Sequence, residues 1–401
     1  MLSQLSAHSG NIKYLTRLSV SAQLSILFSL VLLTSFHSPS VEATTCPDQA
    51  VSDIGDNACG CNCSSTDADA GSARSGLLPG MQAGNPISLV SGNKYQQESD
   101  YRASGSELQL RRHYNSANSD INVGWGRGWS MSYSTYILRV VDNEKPNGYE
   151  VVQSDGRRIL FHDEHSDENG RIFYRSPSAS DGYVIQLDDG YSNWYLPEGK
   201  VLSFYGSYLT RIDYPGAAFL SMHYQGGRLS QVIDESDRVL KFEYTAGRIG
   251  LNSYDSQSYG EQAGHIRKVT LPNGNELHYD FDSQLNLTRV RYPDNIDRQY
   301  HYENSNWPQH LTGITDQNKI RYASWEYNEE GRAIRSEHAD GVELISVSYT
   351  TPPENSDTEV GITEITNSLG EVSRYTWLQD KQHGRVRLLS GTGPGLSLIH
   401  I

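Results

Sequence analysis

The sequence predicts an all-β fold built of stacked antiparallel β-hairpins, and three observations carry that prediction. From Tyr205 onward an alternating apolar triplet that closes in an aromatic recurs: Leu220/Met222/Tyr224, Leu240/Phe242/Tyr244, Leu277/Tyr279/Phe281, Ala323/Trp325/Tyr327 and Ile345/Val347/Tyr349. Shortened copies keep only the last two members, Tyr300/Tyr302 and Tyr375/Trp377. Side chains alternate across a strand, so each triplet lies on one face and residues such as Lys241, Glu243, His278 and Asp280 lie on the other. Turn signals punctuate the same stretch. Pro215-Gly216, Asn273-Gly274, Pro293-Asp294-Asn295 and Asp340-Gly341 precede triplets, and Gly-Arg pairs at 227, 247, 331 and 384 follow them. The closing aromatics recur every 20 to 28 residues, except for one interval of 37 between Tyr244 and Phe281 that holds the insertion LNSYDSQSYGEQAG. Each unit is therefore about two short strands, too small to stand alone in water, and the units must stack into one continuous sheet.

The elements ahead of the hairpins follow in chain order. A basic flank (Lys13, Arg17), an apolar run from Leu24 to Phe36 and the closing Val41-Glu42-Ala43 predict a secretory signal peptide over residues 1–43. The run is shorter than the roughly 20 residues a helix needs to span a bilayer, so no stable membrane span is expected after cleavage; an uncleaved anchor is the alternative. The mature protein is then secreted or held at the cell surface. Residues 44–63 contain all four cysteines, Cys46, Cys59, Cys61 and Cys63. In an exported chain an even count points to two disulfides that staple a segment with no core of its own. Zinc is the competing reading, but C-x-C-x-C lacks the paired C-x2-C spacing of a structural site. Residues 64–83 are small and polar and read as a flexible linker. At the other end Leu396–Ile401, LSLIHI, matches the in-frame translation of a transposon-end sequencing adaptor and is expected to be foreign; a native apolar tail is the alternative.

The formal net charge of −15 on 401 residues disfavours a nucleic acid held by phosphate contacts and an anionic membrane surface. No nucleophile elbow, zinc-protease helix or phosphate-loop lysine occurs, so this chain is not expected to be an enzyme or to carry a cofactor or metal. His162-Asp163-Glu164-His165 has ligand-type residues but follows a strand-like run and reads as a solvated loop. Gly124-Trp125-Gly126-Arg127-Gly128 is glycine-rich without a following amphipathic helix, so it turns the chain while Trp125 and Trp129 pack. The row of tyrosines, 26 in all, could stack on sugars, but at strand period it reads first as inner-face packing.

The stretch YDFDSQLNLTRVRYPDNIDRQYHY (Tyr279–Tyr302) resembles the YD repeat of the Rhs family. Phe281 replaces a tyrosine of that repeat and Leu285 a glycine. Upstream, GNPISLVSGNKYQQESDY (Gly84–Tyr101), LQLRRHYNS (Leu108–Ser116) and GWGRGWSMSY (Gly124–Tyr133) are similar to the domain that precedes Rhs repeat cores. The resemblance implies an N-terminal domain over residues 84–200 and YD repeats over 201–395. The repeats would form part of a large hollow β-shell, with Tyr224, Phe242, Tyr244, Tyr279, Phe281, Tyr302, Trp325, Tyr327, Tyr349 and Trp377 as the repeat core. It further implies that the shell encloses and delivers a C-terminal toxin domain lying outside this sequence, partnered by an immunity protein. The competing function is an adhesin whose tyrosine-rich strands engage cell-surface glycans. With the shell open at Gly395, the tyrosine face is expected to meet water and the chain to self-associate.

Two disulfides within residues 44–63 predict that the exported protein weighs about four mass units less than its reduced form, one hydrogen per thiol. Four free thiols, or one bound zinc per chain, in an intact-mass measurement would refute the pairing.

Overall fold

The computed structural model describes residues 81–142, 145–168, 170–187, 190–247, 264–350, 358–380, 385–393 and 396–400. The expected signal peptide, the cysteine segment, the linker as far as residue 80 and most of the insertion after Tyr244 lie outside the described residues. Regular structure among the described residues is strands and single 3-10 turns. No helix among them is long and apolar enough to cross a membrane.

Every strand from Tyr136–Asp142 to Leu396–His400 belongs to one antiparallel sheet, so the fold is all-β with sequential hairpins pairing side by side. The sheet has two parts. Its first strands are Tyr136–Asp142, Lys145–Val152, Arg158–Phe161, Asp163–Ser166, Ile172–Arg175, Tyr183–Gln186, Tyr191–Tyr195, Val201–Tyr205 and Tyr208–Asp213. They close on themselves where Tyr208 pairs with Tyr136. The inward positions of this ring, among them Tyr149, Phe161, Tyr174, Val184, Trp194 and Phe204, are all buried. The strand Tyr208–Asp213 is a branch point: its Tyr208 end meets Tyr136, and its Arg211–Asp213 end pairs with Phe219–Gln225, the first strand of a long meander. The sheet runs unbroken through residue 200, where the turn between Tyr191–Tyr195 and Val201–Tyr205 falls.

In the meander the alternation takes its expected physical form. Phe219–Gln225, Val239–Tyr244, Glu276–Phe281, Arg321–Tyr327 and Val342–Thr350 are strands. Leu220, Met222, Leu240, Phe242, Leu277, Tyr279, Ala323, Trp325, Tyr327 and Val347 are buried, whereas Lys241 is exposed. The opposite face carries cross-strand ion pairs, including Lys268 with Glu243 and Glu276 and Arg291 with Asp280.

The closing aromatic coincides with a break in register. Pairing slips by one residue between Ser203 and Phe204, His223 and Tyr224, Glu243 and Tyr244, Asp280 and Phe281, and Glu326 and Tyr327. The extra residue lies on the returning strand, making a β-bulge that sharpens the local twist. Where it carries a hydroxyl, it donates to the carbonyl before the aromatic: Thr210 to Ser203 at 3.0 Å, Ser230 to His223 at 2.9 Å, Thr288 to Asp280 at 3.1 Å. The tyrosine hydroxyls then tie one hairpin to the one before. Tyr224 donates to the Leu209 carbonyl at 2.9 Å, Tyr327 to Leu311 at 2.7 Å and Tyr349 to Ala333 at 2.6 Å. Phenylalanine would fill the same space and leave those carbonyls without this donor.

The turns share a second device. Asp234, Asp282, Asp316, Asn328 and Asn367 each accept, through one side-chain oxygen, the backbone N–H groups two and four residues on. The residue three positions after each has positive φ: Asp237, Leu285, Lys319, Gly331 and Gly370. Leu285, where the YD repeat has glycine, is held at φ 65°, a conformation that costs a side-chain-bearing residue about 1–2 kcal/mol.

Ahead of the ring, Gln82–Ala83 pairs with Ile87–Ser88 in a two-stranded sheet, and a three-stranded sheet follows, Tyr95–Arg102, Gln109–Asn115 and Trp129–Met131. The three-stranded sheet is the N-terminal sheet. It covers the buried face of the meander, with Trp125 edge-on to Phe242 and Tyr279 and Trp129 edge-on to Tyr300. This corrects the expectation of a tyrosine face open to water. Tyr279, Tyr300, Trp325 and Tyr327 are at most 8 % exposed, because the chain's own N-terminal sheet supplies the apolar partner. A second correction concerns Asp163–Ser166, expected in a solvated loop. It is a strand paired with Ile172–Arg175, because the chain continues from Arg158–Phe161 in extended form and Phe173 offers a ring on which His165 stacks at 5.4 Å.

Replacing Phe242 or Trp325 by Ala should cost roughly 3–5 kcal/mol in urea unfolding of the full chain. Tyr327→Phe should cost about 1–2 kcal/mol for the orphaned carbonyl, and Lys241→Ala less than about 0.5 kcal/mol. Equal losses at Phe242 and Lys241 would mean that the two faces are wrongly assigned.

Candidate functional site

Two features stand out chemically: the seam between the N-terminal sheet and the meander, and a cleft where the ring joins the meander. The seam is organised by charge. Arg112 and Asp100, from neighbouring strands of the N-terminal sheet, pair at 2.6 and 2.9 Å with both side chains 0 % exposed. The meander supplies the remaining partners. Tyr279 and Tyr292 donate their hydroxyls to the Asp100 carboxylate at 3.0 and 2.7 Å, and Arg112 donates to the Tyr300 hydroxyl at 2.7 Å. The guanidinium also lies 4.8 Å from the Trp129 ring and 5.2 Å from Tyr300. Burial works against charge on Arg112, but the adjacent carboxylate of Asp100 overrides it and holds the guanidinium well above its ordinary pKa. Burial pushes Tyr279, Tyr292 and Tyr300 upward as well, so their hydroxyls stay protonated and able to donate.

Further contacts extend the seam along the chain. The Lys94 ammonium donates to the Asn85 carbonyl at 2.6 Å, to Gln96 at 3.0 Å and to the Tyr95 carbonyl, and sits 4.0 Å from the Trp325 ring. Burial lowers its pKa well below the ordinary lysine value, and Glu98 offsets part of that. Glu98 pairs with Arg298 of the meander. Tyr114 donates to the Gln309 carbonyl at 3.0 Å and accepts the Leu311 N–H at 2.9 Å. The glycine-rich run meets the same face. Gly126 and Gly128 have φ of 99° and 74°, and a Cβ on Gly128 would come within 2.7 Å of the Tyr114 ring. These turns bury Trp125 while the Arg127 guanidinium donates to the Gln284 carbonyl at 2.9 Å.

Of the expected repeat-core aromatics, Phe242, Tyr279, Trp325, Tyr327 and Trp377 are buried. Tyr224, Tyr244, Phe281, Tyr302 and Tyr349 are partly buried against the same core, and Tyr302 accepts the Trp129 indole N–H at 2.9 Å. Trp377 belongs to a separate small cluster with Met81 and Val386. The four cysteines lie outside the described residues. No group of three or more His, Cys, Asp or Glu poised for a metal occurs among the described residues. His165 and Asp163 pair at 2.8 Å on the ring's outer surface. Sequence reasoning missed Lys94, Glu98, Asp100 and Arg112. Their signal was present: Arg112 stands in phase with Leu108, Leu110 and Tyr114, all 0 % exposed.

The cleft is narrow and is lined by Trp125, Tyr133, Tyr136, Tyr208, Tyr224, Tyr244 and Arg228, with Ser134, Thr135 and Ser207 among the hydroxyl-bearing residues. Arg228 donates to the Thr245 carbonyl at 2.9 Å. A second narrow hollow adjoins it through Val123, Ser134 and Tyr136. Aromatic walls with a few polar groups are the usual make-up of a small-molecule site.

Residues 84–161 match a domain of unknown function, DUF6531. No curated protein matches the chain. Among solved structures the chain is similar to the crystal structure of TcdB2-TccC3 without hypervariable C-terminal region, at 9 % identity over 79 % of this chain and 20 % of that one, with a TM-score of 0.27. It is also similar to the crystal structure of TcdB2-TccC3, at 10 % identity over 76 % of this chain and 20 % of that one, with a TM-score of 0.20. The chain thus spans about a fifth of the length of each of these two chains.

Arg112→Met should destabilise the protein by about 3–5 kcal/mol, because Asp100 is left buried without its counter-charge. The double variant Arg112→Met/Asp100→Leu should lose less than either single change in a chemical-denaturation cycle. Simple additivity would show that the two charges do not depend on each other.

Proposed function

We propose that this chain is the N-terminal part of an exported container, a β-shell of YD-type hairpins that encloses and delivers a C-terminal toxin domain. The observation that carries the reading is the repeated tie between hairpins, Tyr224 to Leu209, Tyr327 to Leu311 and Tyr349 to Ala333. A contact that recurs in the same form between one hairpin and the one before lets a sheet lengthen by repetition without redesign, which is what a large wall requires. The rings, hydroxyls and turn Asp and Asn side chains of the repeats are engaged in holding that wall. Enzymatic activity would reside in the enclosed domain, and an immunity protein would be the partner of that domain.

Adhesion through the repeat tyrosines is the weaker reading, because several of those hydroxyls are already bonded within the sheet and the rings are covered by the N-terminal sheet. The test is genetic and functional together. The complete reading frame should encode a further domain after the hairpins, followed by a small neighbouring gene. Expression of that domain alone should arrest growth, and the neighbour's product should relieve the arrest. A wall-anchoring end with no growth inhibition would replace delivery with adhesion.

A further inference from the structure

Two buried histidines stand at the two attachments of the N-terminal sheet. His310 is 5 % exposed and His113 is 7 % exposed. His310 lies in the loop between the strands Asp297–His301 and Gly313–Thr315. Tyr114 clasps that loop through the Gln309 carbonyl and the Leu311 N–H, the groups on either side of His310. The imidazole is 4.9 Å from the Trp307 ring and meets Tyr327 edge-on at 4.7 Å. Its Nδ1 has no hydrogen-bond partner, and its polar contact is with the Gly331 backbone. The charges on the packed elements are engaged elsewhere. Glu330 and Arg332 of the Gly331 turn pair at 3.7 Å, Glu303 of the same loop pairs with Arg321, and Asp282 accepts the N–H groups of its own turn. His113 lies between Arg112 and Tyr114 and so points to the opposite face of the sheet. Its Nδ1 is 2.6 Å from the Tyr95 hydroxyl, and Ser130 is its neighbour on the strand Trp129–Met131. The charges around it are Arg111 and Arg112 on its own strand and Asp155 on the ring turn, whose carbonyl accepts the Asn115 amide at 2.7 Å.

We propose that the N-terminal sheet is an acid-released cover, which lets go of the meander and the ring when His113 and His310 take up protons. An imidazolium has two N–H donors to satisfy. At His310 the docked state gives Nδ1 no acceptor, and the walls of Trp307 and Tyr327 keep water away, so a charge there is costly. At His113 a proton adds a third positive charge beside Arg111 and Arg112, which Asp155 offsets only in part, and the Tyr95 hydroxyl must turn from donor to acceptor. Burial accordingly pushes His310 down to about 4 and holds His113 below the ordinary histidine value as well. Once undocked, both rings meet water and return toward about 6.5. The undocked state therefore binds more protons as pH falls below about 6.5, and the docked state weakens through that window until His310 itself titrates in place. Above it both states are neutral and docking is at full strength. Undocking would uncover the aromatic face that holds Tyr279 and Tyr300. The inference concerns this cover alone and is independent of what the wall encloses.

Hydrogen exchange of the full chain, followed by mass spectrometry and corrected for the intrinsic pH dependence of amide exchange, tests this at about pH 7 and about pH 5. Carboxyl groups of ordinary pKa stay ionised down to about pH 5, so this window reads the imidazoles. The opening constant of amides in Gln109–Asn115 and Trp129–Met131 should rise by about twentyfold or more between the two, the linkage expected from His310 alone. Amides of the ring strands Tyr183–Gln186 and Tyr191–Tyr195 should change little. His310→Phe, which keeps a ring between Trp307 and Tyr327 but cannot titrate, should remove most of the rise, and His310→Phe/His113→Gln should flatten it. Equal protection of the sheet at both pH values overturns the proposal. So does a loss shared equally by the ring strands, or a rise that survives the double variant. Where the variants do not fold, the ring C–H signals of the unaltered chain decide. Two histidines should titrate below about pH 5, and titration of every histidine near 6.5 overturns the proposal.

Discussion

Burying an arginine and an aspartate with no access to water costs several kcal/mol per charge unless their geometry and remaining hydrogen bonds are satisfied. The Arg112–Asp100 pair approaches that demand only when the meander is in place, because its other partners come from Tyr279, Tyr292 and Tyr300, and even then Nη1 of Arg112 has no hydrogen-bond partner. The N-terminal sheet and the repeats are therefore not two bodies that happen to touch. One register of contact satisfies the pair, and sliding the sheet along the meander by a single hairpin would leave charges buried without partners. Trp125, Trp129 and Leu110 are buried in the seam, but burial is non-directional and does not single out one register. Position is fixed by the polar groups.

Within the meander a similar division holds between what provides stability and what provides uniqueness. Leucine, phenylalanine and tryptophan at alternate positions fill the core. The bulges at Tyr224, Tyr244, Phe281 and Tyr327, the hydroxyls of Ser230 and Thr288 that span two of them, and the tyrosine ties to the preceding hairpin mark where these strands begin to turn. The Asx residues at the hairpin ends do the same for the loops, and Asp282 does so firmly enough to hold Leu285 in a left-handed conformation. A repeat with such redundant local instructions tolerates the loss of one, as the Phe281 copy without a hydroxyl shows.

The strands of the meander were legible because period-two alternation is a local signal, and so were most turns, since Asn-Gly, Asp-Gly and Gly-Arg occur where the chain reverses. The bulges were not, because Thr210, Ser230 and Thr288 differ from ordinary strand residues only in which carbonyl they meet. The cover over the tyrosine face was missed for a different reason. Arg112 and Tyr300 are 188 positions apart, and no window of sequence joins them. The His162–His165 segment was misjudged because charged residues are common both in loops and on the wet face of a strand. The cleft formed by Tyr208, Tyr224 and Tyr244 depends on the branch at Tyr208–Asp213, a topological fact that alternation does not encode.

The long separation within the seam also has a consequence in time. Chains are synthesised from the N-terminus at about 5–20 residues per second, so Arg112 exists for roughly 10–40 s before Tyr300 is made. Through that interval Trp129 lacks the Tyr300 ring that packs against it, and Arg112 lacks the hydroxyl to which it donates. The N-terminal sheet is thus made well before the partners that complete its seam. A chain of this design depends on being held unfolded until those partners arrive.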